Sequence, residues 1–293
     1  MKKIAVAAAT GNLGKRVAQQ ISLQGAETVL LGQNLERLTQ LNISNSTPAV
    51  ADLSNREQMI EATKGVDALF ILVPPVLNTT SLEEWYHQVT DAGIAAVNAN
   101  KIKKVVLISS LGASTTPNLA TVSYCGAMEV AFDKLSTNIL ALRPGYFMEN
   151  FVQQAKSIMK DGKFSFPFDG DHDIPFISTD DIGDAAAHYL LDETWAGHWK
   201  LNLMGPENIT LKDAAARLTT LTNKPIEYVQ QSFDELKAQL KTLGITDKVL
   251  QELVDLHNAL GDPNGAYATP RTPEVSTSTS FEQFAKQKLL PLL

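Results

Sequence analysis

Two glycines near the start of the chain, Gly11 and Gly14, have the spacing of an anion-binding turn. An apolar run begins at Ile4 and helical periodicity resumes at Leu13, so the pattern predicts a strand, a tight turn and a helix. The start of that helix would direct free N–H groups and the positive end of its dipole at the turn. The turn can therefore hold an anion such as a pyrophosphate.

Ala8 stands where the usual dinucleotide-binding fingerprint has its first glycine. One extra methyl group is compatible with the turn if φ of Ala8 stays negative. Thr10 and Asn12 can add side-chain hydrogen bonds to a bound phosphate. A turn of a parallel sheet that binds nothing remains the alternative interpretation.

Metal chemistry finds no support in the residue pattern. The five histidines are His87, His172, His188, His198 and His257, and they show no paired metal-ligand spacing. Cys125 is the only cysteine, which excludes an internal disulfide and a cysteine-based zinc cluster. A single cysteine also suits a reducing cytosol. We therefore predict a protein without a metal site.

The composition, 44% hydrophobic and 19% charged, is that of an ordinary globular protein. The net charge of −7 disfavours a nucleic-acid surface, which needs clustered Lys and Arg. No signal peptide follows Met1, and no apolar run approaches membrane-spanning length. We expect a cytoplasmic monomer or homodimer that binds neither nucleic acid nor membrane.

Strand-like and helix-like segments alternate through the first half of the chain. The strand-like segments are apolar on both faces, which is typical of a parallel sheet covered by helices on both sides. After the first strand they are predicted at 27–32, 49–53, 66–73, 104–109 and 138–142, with helices at 35–41, 80–100 and 124–136. This pattern indicates an α/β fold, a doubly wound parallel (Rossmann) sheet, with ligands at the C-terminal ends of the strands.

The pattern changes after Gly145, where a smaller C-terminal α+β part begins. We expect 1–145 to form the dinucleotide-binding domain and 146–293 the substrate- or effector-binding part, with the segment 176–204 returning to the sheet. Capping-box spacing occurs at Thr210 with Asp213 and at Ser232 with Glu235. Further predictions are a helix at 149–160, an aromatic and glycine loop at 163–172, a strand at 197–203, an irregular stretch at 269–280 and a last helix from 281.

Several motifs together resemble the NmrA-like branch of the atypical short-chain dehydrogenase/reductase superfamily, which includes the type-2 quinone oxidoreductases. The motifs are Ala9-Thr10-Gly11-Asn12-Leu13-Gly14, Ile108-Ser109-Ser110, Leu142-Arg143-Pro144-Gly145-Tyr146-Phe147-Met148-Glu149-Asn150, Phe176-Ile177-Ser178 with Asp180-Asp181-Ile182-Gly183, and Phe281-Glu282-Gln283-Phe284. The resemblance covers nearly the whole chain. It implies bound NAD(P), with the substrate or effector in the cleft between the sheet and the smaller part.

The cofactor expected from this resemblance is NADP, with NAD possible. The second strand ends without the acidic residue that NAD-binding folds place on the ribose, while Arg37 and Lys15 can reach a 2′-phosphate unless they are simply solvated. Asp52 resembles a residue that flanks the adenine, although a strand-end cap explains it equally well. The implied cofactor residues are Ala9, Thr10, Gly11, Asn12, Leu13, Gly14, Gln33, Arg37, Asp52, Leu53, Val73, Pro74, Ser109, Pro144 and Gly145.

The Tyr-x-x-x-Lys pair of short-chain dehydrogenases is incomplete in this chain. Tyr124 is followed four residues later by Met128, and an ungapped count back from Arg143 gives Thr121 and Cys125 instead. Neither register supplies the lysine that lowers the pKa of the tyrosine. Tyr124 and Ser110 remain as candidate catalytic residues, and alcohol–ketone chemistry is disfavoured.

Quinone reduction tolerates this gap, because the hydroquinone anion formed by hydride arrival is weakly basic and water can protonate it. The resemblance then places Tyr146, Phe147, Asn150 and His257 around the substrate. Phe164, Phe166 and Phe168 suit a flat substrate, unless they form one face of a small strand. We therefore expect an NAD(P)H-dependent oxidoreductase acting on a quinone-like small molecule, with a non-catalytic NAD(P) redox sensor as the alternative.

Overall fold

Strands alternate with helices from Lys3 onward in the computed structural model, which describes residues 2–293. The strands are β1 (Lys3–Val6), β2 (Glu27–Gly32), β3 (Ser46–Val50), β4 (Ala68–Ile71), β5 (Lys104–Ile108), β6 (Asn138–Pro144), β7 (Tyr146–Phe147), β8 (Lys163–Phe166), β9 (Phe176–Ile177), β10 (His198–Leu203) and β11 (Glu227–Gln230). The helices are α1 (Asn12–Leu23), α2 (Leu35–Gln40), α3 (Arg56–Ala62), α4 (Leu82–Asn100), α5 (Thr121–Phe132), α6 (Ala155–Asp161), α7 (Thr179–Leu191), α8 (Leu211–Thr222), α9 (Phe233–Lys241), α10 (Asp247–Gly261) and α11 (Phe281–Phe284).

Within residues 2–293, seven parallel strands form the main sheet in the order β10-β6-β5-β4-β1-β2-β3. The chain runs outward from β1 in one direction to β3 and in the other direction to β10, so the order reverses between β1 and β4. A doubly wound sheet binds its ligands at such a switch point, outside the carboxyl ends of the strands. The predicted fold class is confirmed.

Both faces of the central strands are buried, which explains why β1, β4, β5 and β6 consist mainly of apolar residues. In β1, Ile4 and Val6 pack with the apolar faces of α1 and α7, whereas Ala5 packs on the opposite side with α3, α4 and α5. Each face therefore has its own hydrophobic core. The two cores hold the carboxyl ends of β1, β4, β5 and β6 at one common edge.

Within residues 176–204, β10 joins this sheet and α7 covers part of one of its faces. β10 pairs with β6 in parallel, from His198 opposite Ile139 to Leu203 opposite Pro144. α7 lies directly against α1, because a Cβ at Gly183 would come within 2.6 Å of a side-chain carbon of Arg16. Only a residue without a side chain lets the two helices approach this closely.

The remaining residues form a smaller part around an aromatic core. Its sheets are short: β8 pairs with β11, and β7 pairs with β9. Phe151, Phe164, Phe176 and Phe281 are almost completely buried in this core. Among the described residues, no helix has the length and apolar character needed to cross a bilayer.

Several predicted boundaries of strands and helices are wrong. The third strand runs from Ser46 to Val50 and not from 49 to 53, because Pro48 is acceptable in a strand that pairs only with β2 at the edge of the sheet. The predicted loop at 163–172 begins with β8, in which Phe164 and Phe166 alternate inward. The fifth helix starts at Thr121, three residues before the predicted start.

Candidate functional site

The glycine turn, defined here as Ala8–Gly14, leaves the start of α1 open. The N-cap of α1 is Gly11, and no side chain of the described residues caps this end or supplies a carboxylate in its first turn. In contrast, α2, α3, α4, α7, α8, α9 and α10 all begin with a side chain that accepts a backbone N–H. The free N–H groups of α1 and its dipole therefore favour an anion at the turn.

The backbone of the glycine turn is packed as closely as the fingerprint requires. A Cβ at Gly14 would lie 2.4 Å from the Ala8 carbonyl oxygen and 2.9 Å from that of Ala7, so no side chain fits. Gly11 is less crowded: its Cβ would lie 3.3 Å from the Ala8 oxygen. Asn12 and Gly11 are exposed and Thr10 is half-buried, leaving their polar groups open to a ligand.

The condition under which alanine fits the turn without strain, a negative φ at Ala8, is not met, because its φ is +49°. The N–H of Gly11 donates to the Ala8 carbonyl at 2.9 Å and closes a turn that begins at this left-handed residue. Alanine therefore occupies the first fingerprint position at a conformational cost of about 1–2 kcal/mol that glycine would avoid.

Two exposed cations lie near the expected adenosine end. Arg37 and Lys15 are exposed, and neither side chain forms an ion pair within the part of the chain that the structure describes. Gln33 is exposed at the end of β2. The Asp52 carboxylate accepts hydrogen bonds from the N–H and hydroxyl of Ser54 at 2.9 and 2.7 Å. This is the strand-end cap that the sequence left open as an alternative.

The loop after β4 and the end of β5 lie at the same edge of the sheet. Val73 and Pro74 are half-buried, and the Pro74 carbonyl accepts a hydrogen bond from Trp85 Nε1 at 2.9 Å. Leu53 is buried and packs in the core. Pro74 and Leu53 can therefore contribute shape to a cofactor site, while the carbonyl of Pro74 already has a partner.

A buried ion network holds the hydroxyl of Ser109 just after the end of β5. Its hydroxyl donates to Glu129, whose side chain is only 2% exposed, so this hydrogen is not available to a ligand. Arg143 holds the same carboxylate with two bonds, Nε to Oε1 at 2.8 Å and Nη2 to Oε2 at 2.5 Å. Lys200 lies 3.8 Å from it. The network ties β5, β6 and β10 to α5.

The environment of Tyr124 is the opposite of that in a Tyr–Lys pair. Its hydroxyl donates to Glu252 Oε1 at 3.1 Å, and burial together with this carboxylate raises the pKa of Tyr124 well above its usual value. The other candidate, Ser110, donates to the carbonyl of Leu111 at 3.2 Å. Burial raises the pKa of Cys125 to about 12, which removes thiolate chemistry at neutral pH.

An aromatic cluster occupies the region where substrate contacts were predicted. The ring of Tyr146 packs edge-on against Phe166 and Phe168, with centroids 5.9 and 5.5 Å apart. His257 lies 5.5 Å from Phe168, and its Nδ1 donates to the Leu253 carbonyl at 2.7 Å. Burial lowers the pKa of His257, so its imidazole is neutral at pH 7 and Nε2 is a hydrogen-bond acceptor.

Phe164, Phe166 and Phe168 are core residues and not the walls of a substrate site. They are 1%, 6% and 1% exposed, and Phe164 and Phe166 form the inward face of β8. The interpretation as one face of a small strand is therefore confirmed for Phe164 and Phe166, while Phe168 lies beyond the end of β8. The expectation that these three rings receive a flat substrate is wrong, because their faces are filled by other side chains of the aromatic core.

The segment Arg143–Asn150 is anchored in the fold by contacts of Arg143, Gly145 and Glu149. A Cβ at Gly145 would lie 2.0 Å from the Pro175 carbonyl oxygen, so β7 can reach β9 only because this residue is glycine. The Glu149 carboxylate accepts from the N–H of Thr179 at 3.0 Å and from its hydroxyl at 2.6 Å, at the start of α7. Lys288 pairs with the same carboxylate at 3.1 Å.

Sequence reasoning missed two features. One is Glu252, whose contacts join α10 to α4 and α5 over a separation of 170 residues. The other is a cavity of about 910 Å³ in the smaller part, beside the stacked rings of His172 and Tyr267. Neither has a local signature, because the partners are distant in sequence. Among the described residues, no cluster of potential metal ligands was found.

Residues 1–285 match the NmrA-like family. An NAD(P)H azoreductase of Xenophilus azovorans is 24% identical over 288 residues, covering 97% of this chain and 96% of the relative. The NADPH complex of an Escherichia coli NADPH-dependent quinone oxidoreductase superposes with a TM-score of 0.78 at 22% identity, covering 98% and 99% of the two chains. NmrA itself, a negative transcriptional regulator, solved with NAD, gives 0.76 at 18%, covering 99% and 96%. The family model spans all but the last residues, and the chain belongs to the NmrA-like family.

Proposed function

We propose that this protein binds NAD(P), with NADP preferred, and reduces a quinone-like acceptor. The observation that carries the proposal is the uncapped start of α1 behind Gly11 and Gly14, at the point where the strand order reverses. The relatives support it, since two of them are named as an NAD(P)H azoreductase and an NADPH-dependent quinone oxidoreductase.

The residues at the edge of the sheet fit the cofactor. The glycine turn would hold the pyrophosphate, with Thr10 and Asn12 as side-chain donors. Arg37 and Lys15 would face a 2′-phosphate, since both are exposed and without an ion pair in the described residues. Leu53, Val73 and Pro144 would line the groove, and Gly145 would present backbone to the nicotinamide end. Gln33, Asp52 and Ser109 would complete the lining.

The proposed reaction takes account of the incomplete Tyr–Lys pair of this chain. When bound, NAD(P)H would supply a hydride, which carries two electrons and one proton, and a second proton from the medium would complete the conversion of a quinone into a hydroquinone. The raised pKa of Tyr124 makes it a poor proton donor, so a substrate whose reduced form is a stable anion suits this site. Tyr146, Phe147, Asn150 and the neutral His257 would orient the acceptor. Ser110 stays a candidate hydrogen-bond donor.

The test is steady-state oxidation of NADPH with 1,4-benzoquinone and menadione at saturating cofactor. We expect turnover by the wild-type protein and none by Gly11→Val, whose side chain would fill the pyrophosphate space. Gly25→Ala is the control for a loss of stability away from the glycine turn, because residue 25 has open space around it but a positive φ of +81°. Rates equal to those without protein would exclude the oxidoreductase.

A non-catalytic redox sensor is the second candidate, favoured by the likeness to NmrA and by the absence of the Tyr–Lys pair. Calorimetry with NADP⁺ and NADPH separates the two functions, because a sensor must bind the two forms with different affinities. Equal affinities together with quinone turnover would exclude the sensor. For either function, the single cysteine suits action in the reducing cytoplasm.

A further inference from the structure

Helix α10 crosses between the two parts of the molecule. Its first half packs on α4 and α5, where Val249 and Leu250 bury themselves against Leu82. Its second half belongs to the aromatic core, and the carbonyl of Leu260 accepts a hydrogen bond from His172 Nε2 at 3.0 Å. The helix is thus held at both ends by different cores.

The side chain of Glu252, midway along α10, is buried and points into the start of α4. Its carboxylate accepts the N–H of Leu82 at 2.7 Å, the N–H of Glu83 at 3.3 Å and the hydroxyl of Ser81 at 2.8 Å. The hydroxyl of Tyr124 adds a fourth bond at 3.1 Å. All four donors belong to the nucleotide-binding part, whereas the acceptor belongs to the smaller part.

This contact replaces an external anion at a helix N-terminus. The first N–H groups of α4 need an acceptor, and the dipole of this 19-residue helix favours a negative charge there. Burial alone would raise the pKa of Glu252, but the bonds from Leu82, Ser81 and Glu83 outweigh it and the pKa falls below its usual value. The side chain is therefore charged at neutral pH, and its bonds are of the strong, charge-assisted kind.

We propose that Glu252 is a positioning residue that docks α10 onto the nucleotide-binding part and so fixes His257 at the acceptor end of the cleft. The role at the acceptor rests on the proposed function, while the docking does not. His257 follows on the same helix and packs against Phe168 of the aromatic core. Releasing Glu252 removes the polar bonds that hold the middle of α10 on α4 and α5, so that His257, further along the same helix, is then held mainly by the aromatic core.

Hydrogen exchange followed by mass spectrometry tests the docking without any substrate. For Glu252→Ala we expect amides of residues 247–261 to exchange at least about tenfold faster, with β4 and β5 unchanged, because only local opening becomes easier. Tyr124→Phe removes one of the four bonds and should show a smaller increase. Glu235→Gln is the matched control, because Glu235 caps its own helix α9 and makes no bond across the cleft.

Kinetics test the positioning. We expect Glu252→Ala to raise the KM for menadione at least about fivefold while the Kd for NADPH stays within twofold, and Glu252→Gln to lie between it and the wild type. A merely structural loss would lower the active fraction and leave this KM unchanged. If Glu252→Ala does not fold, Glu252→Gln carries both measurements.

The outcomes separate the two proposals. Unchanged exchange in 247–261 for Glu252→Ala and Glu252→Gln would overturn the docking. Faster exchange with an unchanged KM would overturn the positioning role. If the wild type shows no quinone turnover, the proposed function fails, and the exchange result still decides whether Glu252 docks α10.

Discussion

The glycine turn and the segment Arg143–Asn150 are both family motifs, but they use their polar groups in opposite ways. In the glycine turn, the exposed side chain of Asn12 and the first N–H groups of α1 have no side-chain partner in the described residues. In the second segment, Arg143 is bound to Glu129 and Glu149 to Thr179. The first motif is open to a ligand, and the second is satisfied within the protein.

This difference shows how a binding motif is distinguished from an architectural one. The uncapped N–H groups at an exposed helix start are available to an anion. A motif whose charges are already paired holds the fold. Mutations should therefore separate the two regions: changes at Glu129 act on stability, and changes at Gly11 act on cofactor binding.

Glu129→Ala should give the largest effect, a loss of about 3–5 kcal/mol in the free energy of unfolding. The substitution leaves the Arg143 guanidinium in a half-buried site without its carboxylate. Urea unfolding measures the loss. Glu61→Ala removes a fully solvated ion pair with Lys64 and should cost less than about 1 kcal/mol. Equal losses in the two variants would contradict the architectural role of Arg143–Asn150.

Gly11→Val should weaken NADPH binding at least about 100-fold, equivalent to about 2.7 kcal/mol, and leave the fold intact. Residue 11 has φ −81° and ψ 165°, an extended conformation open to any side chain, and the Ala8 oxygen needs to shift only slightly. Fluorescence titration measures the Kd. Gly11→Ala provides a graded comparison. A folded Gly11→Val protein with wild-type affinity would show that the turn is not the cofactor site.

Gly14→Ala should cost about 1–3 kcal/mol of stability, because the Ala8 and Ala7 carbonyls must move to admit a methyl group. The sequence alone predicts mainly looser packing of helix on sheet. The structure adds a weaker affinity for NADPH, since the displaced carbonyl belongs to the turn itself. Thermal unfolding and the same titration measure both effects. Full retention of NADPH affinity would show that helix packing and turn geometry are independent.

Ala8→Gly should give the smallest effect, a gain of up to about 1.5 kcal/mol. Glycine removes the penalty of the positive φ, about 1–2 kcal/mol, and adds its own entropic cost of about 0.5–1 kcal/mol. Ala9→Gly, at the neighbouring buried position, should instead lose stability and serves as the control. A loss of equal size in both variants would show that φ of Ala8 is not strained.

Local patterns predicted much of the architecture. The strand Glu27–Gly32 and the capping boxes at Thr210 and Ser232 lie where the sequence places them. These features depend on neighbouring residues alone: burial of consecutive apolar side chains, or a side chain that bonds the backbone three positions on. The alternation of strands and helices predicted the doubly wound parallel sheet, whereas the order of its strands is seen only in the structure.

The contacts that define the candidate site were out of reach of such patterns. Glu129 and Glu149 read as ordinary helix residues, and only the folded chain shows that they bind Arg143 and Thr179. Glu252 reads as one more charge on an amphipathic helix until α4 is placed beside it. Long-range pairing of this kind depends on tertiary packing, which a single sequence does not encode in any local period.

The packing of α7 on α1 has a consequence for synthesis on the ribosome. Arg16 of α1 pairs with Asp184 of α7, 168 residues later, through bonds of 2.6 and 2.8 Å. Helix α1, which follows the glycine turn, can therefore pack against α7 only after more than half of the chain has been made. Until then, a nascent chain leaves the side of α1 that α7 covers, and the sheet face beside it, open to solvent, and this surface is where a chaperone would be expected to bind.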